Sequence, residues 1–117
     1  MGPSSYLLEI MLNQPISKVL TQVHENLKQL YGEQLDKLIL FGSQARGTAQ
    51  PDSDIDILIV LKDVFNYSQE SEKISQSIAD LCLEYNVLIS CAFATREQLE
   101  NYNSGFFRNI RQDGLVI

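Results

Sequence analysis

Basic residues are scarce in this chain. Nine Lys and Arg face fifteen Asp and Glu, a net charge of −6. That balance leaves no basic face for broad nucleic-acid binding and better suits a basic protein partner. Histidine is nearly absent. His24 has no partner nearby in sequence, which argues against a catalytic or ligand role. The two cysteines, Cys82 and Cys91, lack zinc-like spacing and companion ligands, so they read as small buried apolar residues in a reducing compartment. No apolar run approaches the length of a membrane span. The opening MGPSSYLLEIMLNQP has no basic region of the kind that begins a signal peptide. These absences point to one cytoplasmic domain over residues 1–117, with no direct nucleic-acid partner and no membrane.

What is present centres on residues 38–61, LILFGSQARGTAQPDSDIDILIVL. Two apolar runs, Leu38-Ile39-Leu40-Phe41 and Ile57-Leu58-Ile59-Val60-Leu61, have the length and branching of buried strands. Gly42-Ser43 ends the first run, and Asp54-Ile55-Asp56 opens the second after a ten-residue interval. Residues two apart on a strand share a side, so Asp54 and Asp56 project together. Two adjacent carboxylates repel, and a cation between them keeps both ionised. A hard ion such as Mg²⁺ suits them, because it completes its shell with water and phosphate oxygens. Gly42 lets backbone approach a ligand closely, and Ser43 adds a hydroxyl and an N–H. A short helix opening at Gln44-Ala45-Arg46 aims further N–H groups at the same place, and Arg46 adds a planar cation. Together these make a phosphate cradle beside a carboxylate-held metal. The structural alternative is a solvated turn of Asp residues around Pro51-Asp52-Ser53. It leaves the glycine loop at the matching distance unexplained.

Gly42-Ser43, ten residues, then Asp54-x-Asp56 resembles the motif of the DNA polymerase β-like nucleotidyltransferases. The longer stretch GSQARGTAQPDSDIDILIV is similar to the minimal nucleotidyltransferases among them, the antitoxin halves of two-gene modules whose toxin is a HEPN-domain ribonuclease. The tail SGFFRNIRQDGLVI resembles the end of such antitoxins. The resemblance implies an α/β (α+β) fold, a small mixed sheet with helices packed against it and the site at one end. It implies ATP as donor, Mg²⁺ on Asp54 and Asp56, Ser43 and the backbone near Gly42 on the β- and γ-phosphates, and Arg46 offsetting charge there. The reaction implied is transfer of AMP to a tyrosine of a cognate HEPN toxin, which the chain meets in a hetero-oligomer. The family also places a third carboxylate on a strand beside the Asp-x-Asp strand. Its best match here is Asn86, a metal ligand through its carbonyl oxygen only. Ser90, on the same face, is not ionisable either. Asn86 favours an alternative in which the chain neutralises its toxin by stoichiometric masking. A small-molecule transferase is disfavoured, since no domain remains to grip such an acceptor.

The flanks supply the rest of the fold. Pro15 to Tyr31 reads as a helix with the stripe Ile16, Val19, Leu20, Val23, Leu27 and Leu30, stopped by Gly32. Strands are expected at 36–42 and 54–62. Tyr67 to Tyr85 reads as a second helix, with Ile74, Ile78, Leu81, Cys82 and Tyr85 inward and Glu70, Glu72, Lys73 and Asp80 wet. A third strand follows over Asn86 to Thr95, then short helices at Arg96 to Asn101 and Phe106 to Gln112. Phe106, Phe107, Arg108 and Arg111 fit a partner contact or, alternatively, a core cap with solvated arginines. The first fourteen residues read as a short helix or docking segment, Tyr6 to Leu12, after a disordered start.

Overall fold

A computed structural model of the chain describes residues 14–49 and 53–117. The expectations for Met1 to Leu12 and for Pro51-Asp52 lie outside the described residues. Helix α1, Gln14–Tyr31, leads through a 3₁₀ turn into strand β1, Leu35–Phe41. One helical turn, α2 at Ser43–Arg46, precedes β2, Ile55–Leu61. Then come α3, Tyr67–Tyr85, and β3, Ile89–Thr95, followed by α4, Arg96–Asn101, α5, Gly105–Asp113, and β4, Leu115–Val116. The strands lie in the order β3-β2-β1-β4. β1 is antiparallel to β2 and to β4, whereas β2 and β3 are parallel. This is the mixed sheet with packed helices that the sequence implied.

β2 is central and covered on both faces, so it reads as an almost unbroken apolar run. Its alternate residues divide the core in two. Ile55, Ile57 and Ile59 join Leu38, Leu40, Ile89 and Phe93 under α1 and α3. Leu58 and Val60 join Ile39, Ala94, Leu99 and Ile110 under α4 and α5. Each fully buried aliphatic side chain here contributes about 1.5–3 kcal/mol.

Caps fix the helix boundaries. Asn66 accepts from the Gln69 N–H at 3.1 Å to start α3. Thr95 and Gln98 form a reciprocal capping box at α4. Ser104 accepts from the Phe107 N–H at 3.2 Å to start α5. Asp36 accepts from Arg96 Nε at 2.8 Å, tying the start of β1 to the start of α4. Burial works against the Asp36 charge, but Arg96 and Lys37 prevail and hold its carboxyl below the ordinary range.

Several expectations need correction. Leu30, placed in the apolar stripe, is exposed at the end of α1. Glu70, placed on the wet face, is buried. It lies one turn into α3, where Lys73 Nζ reaches its carboxylate at 3.2 Å and Tyr31 of α1 packs nearby. Burial, with the Glu70 carboxylate beside it, pushes the Tyr31 hydroxyl up. The third strand starts at Ile89, later than expected, and a fourth strand follows α5. Cys82 and Cys91 are free thiols, and burial, then the neighbouring Cys82, pushes Cys91 up to about 12. No helix among the described residues is long and apolar enough to cross a membrane.

Gly114 joins α5 to β4 at close quarters. A Cβ there would lie 2.6 Å from both the Ile110 carbonyl oxygen and Ile39 Cγ2. Neither is the loose end of a flexible chain. Gly114→Ala is therefore expected to destabilise the fold by about 1–3 kcal/mol, read as a lower urea midpoint at unchanged slope.

Candidate active site

The site is built where β1 ends and β2 begins. Gly42 leaves β1 with φ 75° and ψ −155°, a conformation that side chains oppose. It then starts α2, whose Arg46 N–H donates to the Gly42 carbonyl at 3.1 Å. Ala45 anchors this turn in the core, leaving Arg46 exposed. Gly47, left-handed at φ 74°, stops it, and the Thr48 N–H donates back to the Ser43 carbonyl at 3.0 Å. Gln44 Nε2 reaches the Ser53 carbonyl at 3.5 Å, bringing the two ends of the connecting loop together.

β2 carries the acids. Asp54 is exposed, Ile55 is buried and Asp56 is half-buried, the alternation of a strand entering a sheet. Asp56 stands opposite Phe41 in the antiparallel ladder. Its carboxylate lies against Gly42, where any added Cβ would overlap Asp56 Oδ2. Burial, and after it the Asp54 charge, push the Asp56 carboxyl up, while Arg46 pulls it back. Gly42, Ser43, Arg46, Asp54 and Asp56 thus converge on one end of the sheet.

Asn86 does not join them on the strand. It is the C-cap of α3, left-handed at φ 53° and ψ 50°, and its N–H donates to the Cys82 carbonyl. The parallel ladder sets Ser90, not Asn86, in register beside Asp56. Asn tolerates the left-handed cap, which is the physical reason for it at this position. Asn86→Gly is therefore expected to keep both stability and metal affinity within a few tenths of a kcal/mol, whereas Asn86→Ala costs about 1 kcal/mol at the cap. Melting curves and Mn²⁺ titration read the two effects separately.

Among the described residues no three His, Cys, Asp or Glu side chains cluster to hold a metal. The side chains here that could hold one are the carboxylates of Asp54 and Asp56. Burial first and the Asp54 charge second disfavour the Asp56 carboxylate, and a divalent ion that takes two carboxylates and keeps water or phosphate elsewhere would relieve both.

The nucleotidyltransferase domain profile matches residues 20–116, most of the chain. The chain belongs to the nucleotidyltransferase domain family. A candidate protein adenylyltransferase of Methanocaldococcus jannaschii is 38% identical over 106 residues, 86% of this chain and 95% of that protein. The fold of this nucleotidyltransferase is similar to that of a candidate nucleotidyltransferase from Sulfolobus solfataricus, with TM-score 0.64 and 21% identity over 99% of this chain and 89% of that one. It is also similar to a chain in a crystal structure of a toxin–antitoxin with AMP-PNP. That match has TM-score 0.58 and 18% identity over 82% of this chain and 69% of that one.

Sequence reasoning left out two features of this nucleotidyltransferase site. One is the direct packing of Gly42 on the Asp56 carboxylate. The other is Phe41, which read only as the end of an apolar run. The antiparallel register carries both, and a register is set by pairing between strands that no local pattern shows.

Proposed function

We propose that residues 1–117 form one minimal nucleotidyltransferase domain that transfers AMP from ATP to a hydroxyl, that of a tyrosine, on a cognate HEPN ribonuclease toxin. Modification of the toxin neutralises it. The observation that carries this reading is the Asp54–Asp56 pair at the start of β2, with Gly42 packed against the Asp56 carboxylate and Ser43 next in the chain. The relative named a candidate protein adenylyltransferase supports the reaction class, and the fold shared with a toxin–antitoxin chain supports the setting.

Asp54 and Asp56 hold Mg²⁺ in this reading, which when bound neutralises the phosphates and polarises the α-phosphorus. Ser43 and the N–H groups after Gly42 hold the β- and γ-phosphates. Arg46, exposed beside Asp56, offsets their charge. The acceptor hydroxyl gives its proton to water, its oxygen attacks in line, its bond to the α-phosphorus forms, and the bond to the pyrophosphate oxygen breaks, so that pyrophosphate leaves. Positioning and charge stabilisation supply most of the rate.

One observation favours a second reading, stoichiometric masking of the toxin. The residue beside Asp56 is Ser90, which offers neither a charge nor a base. Incubating the HEPN protein of the neighbouring gene with catalytic amounts of this chain, ATP and Mg²⁺ separates the two. A gain of AMP mass on the partner is the expected result. An unmodified partner in a tight complex, inhibited only at equal amounts, would establish masking instead.

A further inference from the structure

The site as built has groups for phosphate and for metal, all on the β1–α2–β2 side. Beside it runs a row of aromatic rings. Phe41 meets Phe106 edge-on at 5.6 Å between ring centres. Phe106 meets Phe107 at 5.2 Å, and Phe107 meets Tyr102 at 5.9 Å. The row starts at the residue opposite Asp56 on the ladder, so its first ring stands on the same sheet face as that carboxylate.

The two phenylalanines of α5 do different things. Phe107 is half-buried and packs with Ile39, Leu58, Val60 and Ile110 in the core under α4 and α5. Phe106 leaves 46% of its surface in water. Its neighbouring arginines are engaged within the fold. Arg108 donates to the Asn103 side chain and carbonyl at 3.1 and 3.0 Å, and Arg111 donates to the Leu99 carbonyl at 2.6 Å. Phe106 is thus a half-exposed ring packed edge-on against Phe41, the residue that stands opposite Asp56 on the ladder.

We infer that Phe106, braced by Phe41, is the platform on which the nucleobase of a bound nucleoside triphosphate stacks. The inference rests on the nucleotide reading above and adds a base subsite to it. With the α-phosphate at Asp54 and Asp56, the ribose bridges to the ring. A purine face on an exposed aromatic ring is a strong and geometrically tolerant contact, and a leucine of similar volume cannot supply it. The edge-on contact with Phe41 fixes the ring before the ligand arrives, so little freedom is lost on binding.

The test is calorimetric titration of the full chain with Mg²⁺ and either α,β-methylene-ATP or tripolyphosphate, which lacks base and sugar. Phe106→Leu is expected to weaken the ATP analogue roughly ten-fold and to leave tripolyphosphate unchanged. Phe106→Trp is expected to hold the analogue at least as tightly as phenylalanine does. Melting curves confirm that both variants fold. Equal analogue affinity in Phe106→Leu and the unaltered chain would overturn the inference, as would an equal loss for both ligands. If the unaltered chain binds analogue and tripolyphosphate alike, the base subsite fails while the phosphate site stands. If it binds neither, both readings fall.

Discussion

Asp56→Asn is expected to lower AMP transfer roughly 10³-fold and to make the metal-free protein more stable. The two effects share one cause. Asp56 is half-buried beside Asp54, and both burial and that neighbour oppose its charge. Its carboxyl titrates higher in the folded chain than in the unfolded one. Near neutral pH it is ionised in both states and less comfortable in the folded state. Asparagine removes that penalty, about 1 kcal/mol or less after solvent screening. The gain shrinks as pH falls and vanishes below the ordinary aspartate value of 3.8, where the native carboxyl is protonated too. Melting curves in chelator at pH 7.5 and pH 3 test the sign. Mass spectrometry of the partner protein tests transfer, and transfer at the native rate would remove Asp56 from the metal site.

Gly42→Ala is expected to abolish transfer as completely, with the opposite effect on stability. At φ 75° and ψ −155° the backbone occupies a region essentially closed to other residues, costing about 1–3 kcal/mol for alanine. The new methyl also lands on Asp56 Oδ2, so the carboxylate must swing away. The urea midpoint should fall. A second change, Gly42→Ala with Asp56→Ala, should recover the clash part of that loss but not the backbone part. Full recovery would mean that the turn itself carries no strain.

Much of the fold was legible because its physics is local or periodic. β2 announced itself as a buried central strand, since a strand covered on both faces has no polar alternation. α1 showed its stripe. Asp54 and Asp56 were legible as a pair because strand periodicity alone puts them on one side. What stayed hidden depends on register and on neighbours distant in sequence. Ser90 stands beside Asp56 because the β2–β3 ladder starts at Ile89. The sequence offered Asn86 because nothing local distinguishes a helix cap from a first strand residue. Glu70 looked wet because its cover comes from Tyr31 on another helix. β4 is two residues long, too short for any periodic signal. The approach of Phe106 to Phe41 is a meeting of residues far apart along the chain.

The sheet order sets a hierarchy of opening. β1 and β2 are joined through residues 42–54, which include the turn of α2, and Phe41 stands opposite Asp56 where the ladder ends. β4 reaches β1 only after the whole of α3, β3, α4 and α5, where Leu115 pairs with Leu40. Closing that longer loop costs about 1.4 kcal/mol more in chain entropy, and β4 is short: two ladder pairs, one of them ending in the exposed Val116, and the Ile117 N–H to the Leu38 carbonyl at 3.0 Å join it to β1. Fluctuation is therefore expected to begin at the β4 edge and to spread first to α5. Amide hydrogens there should exchange sooner than those of β2. During such an excursion Phe106 is expected to leave its place on Phe41 before the glycine turn and the two carboxylates leave theirs.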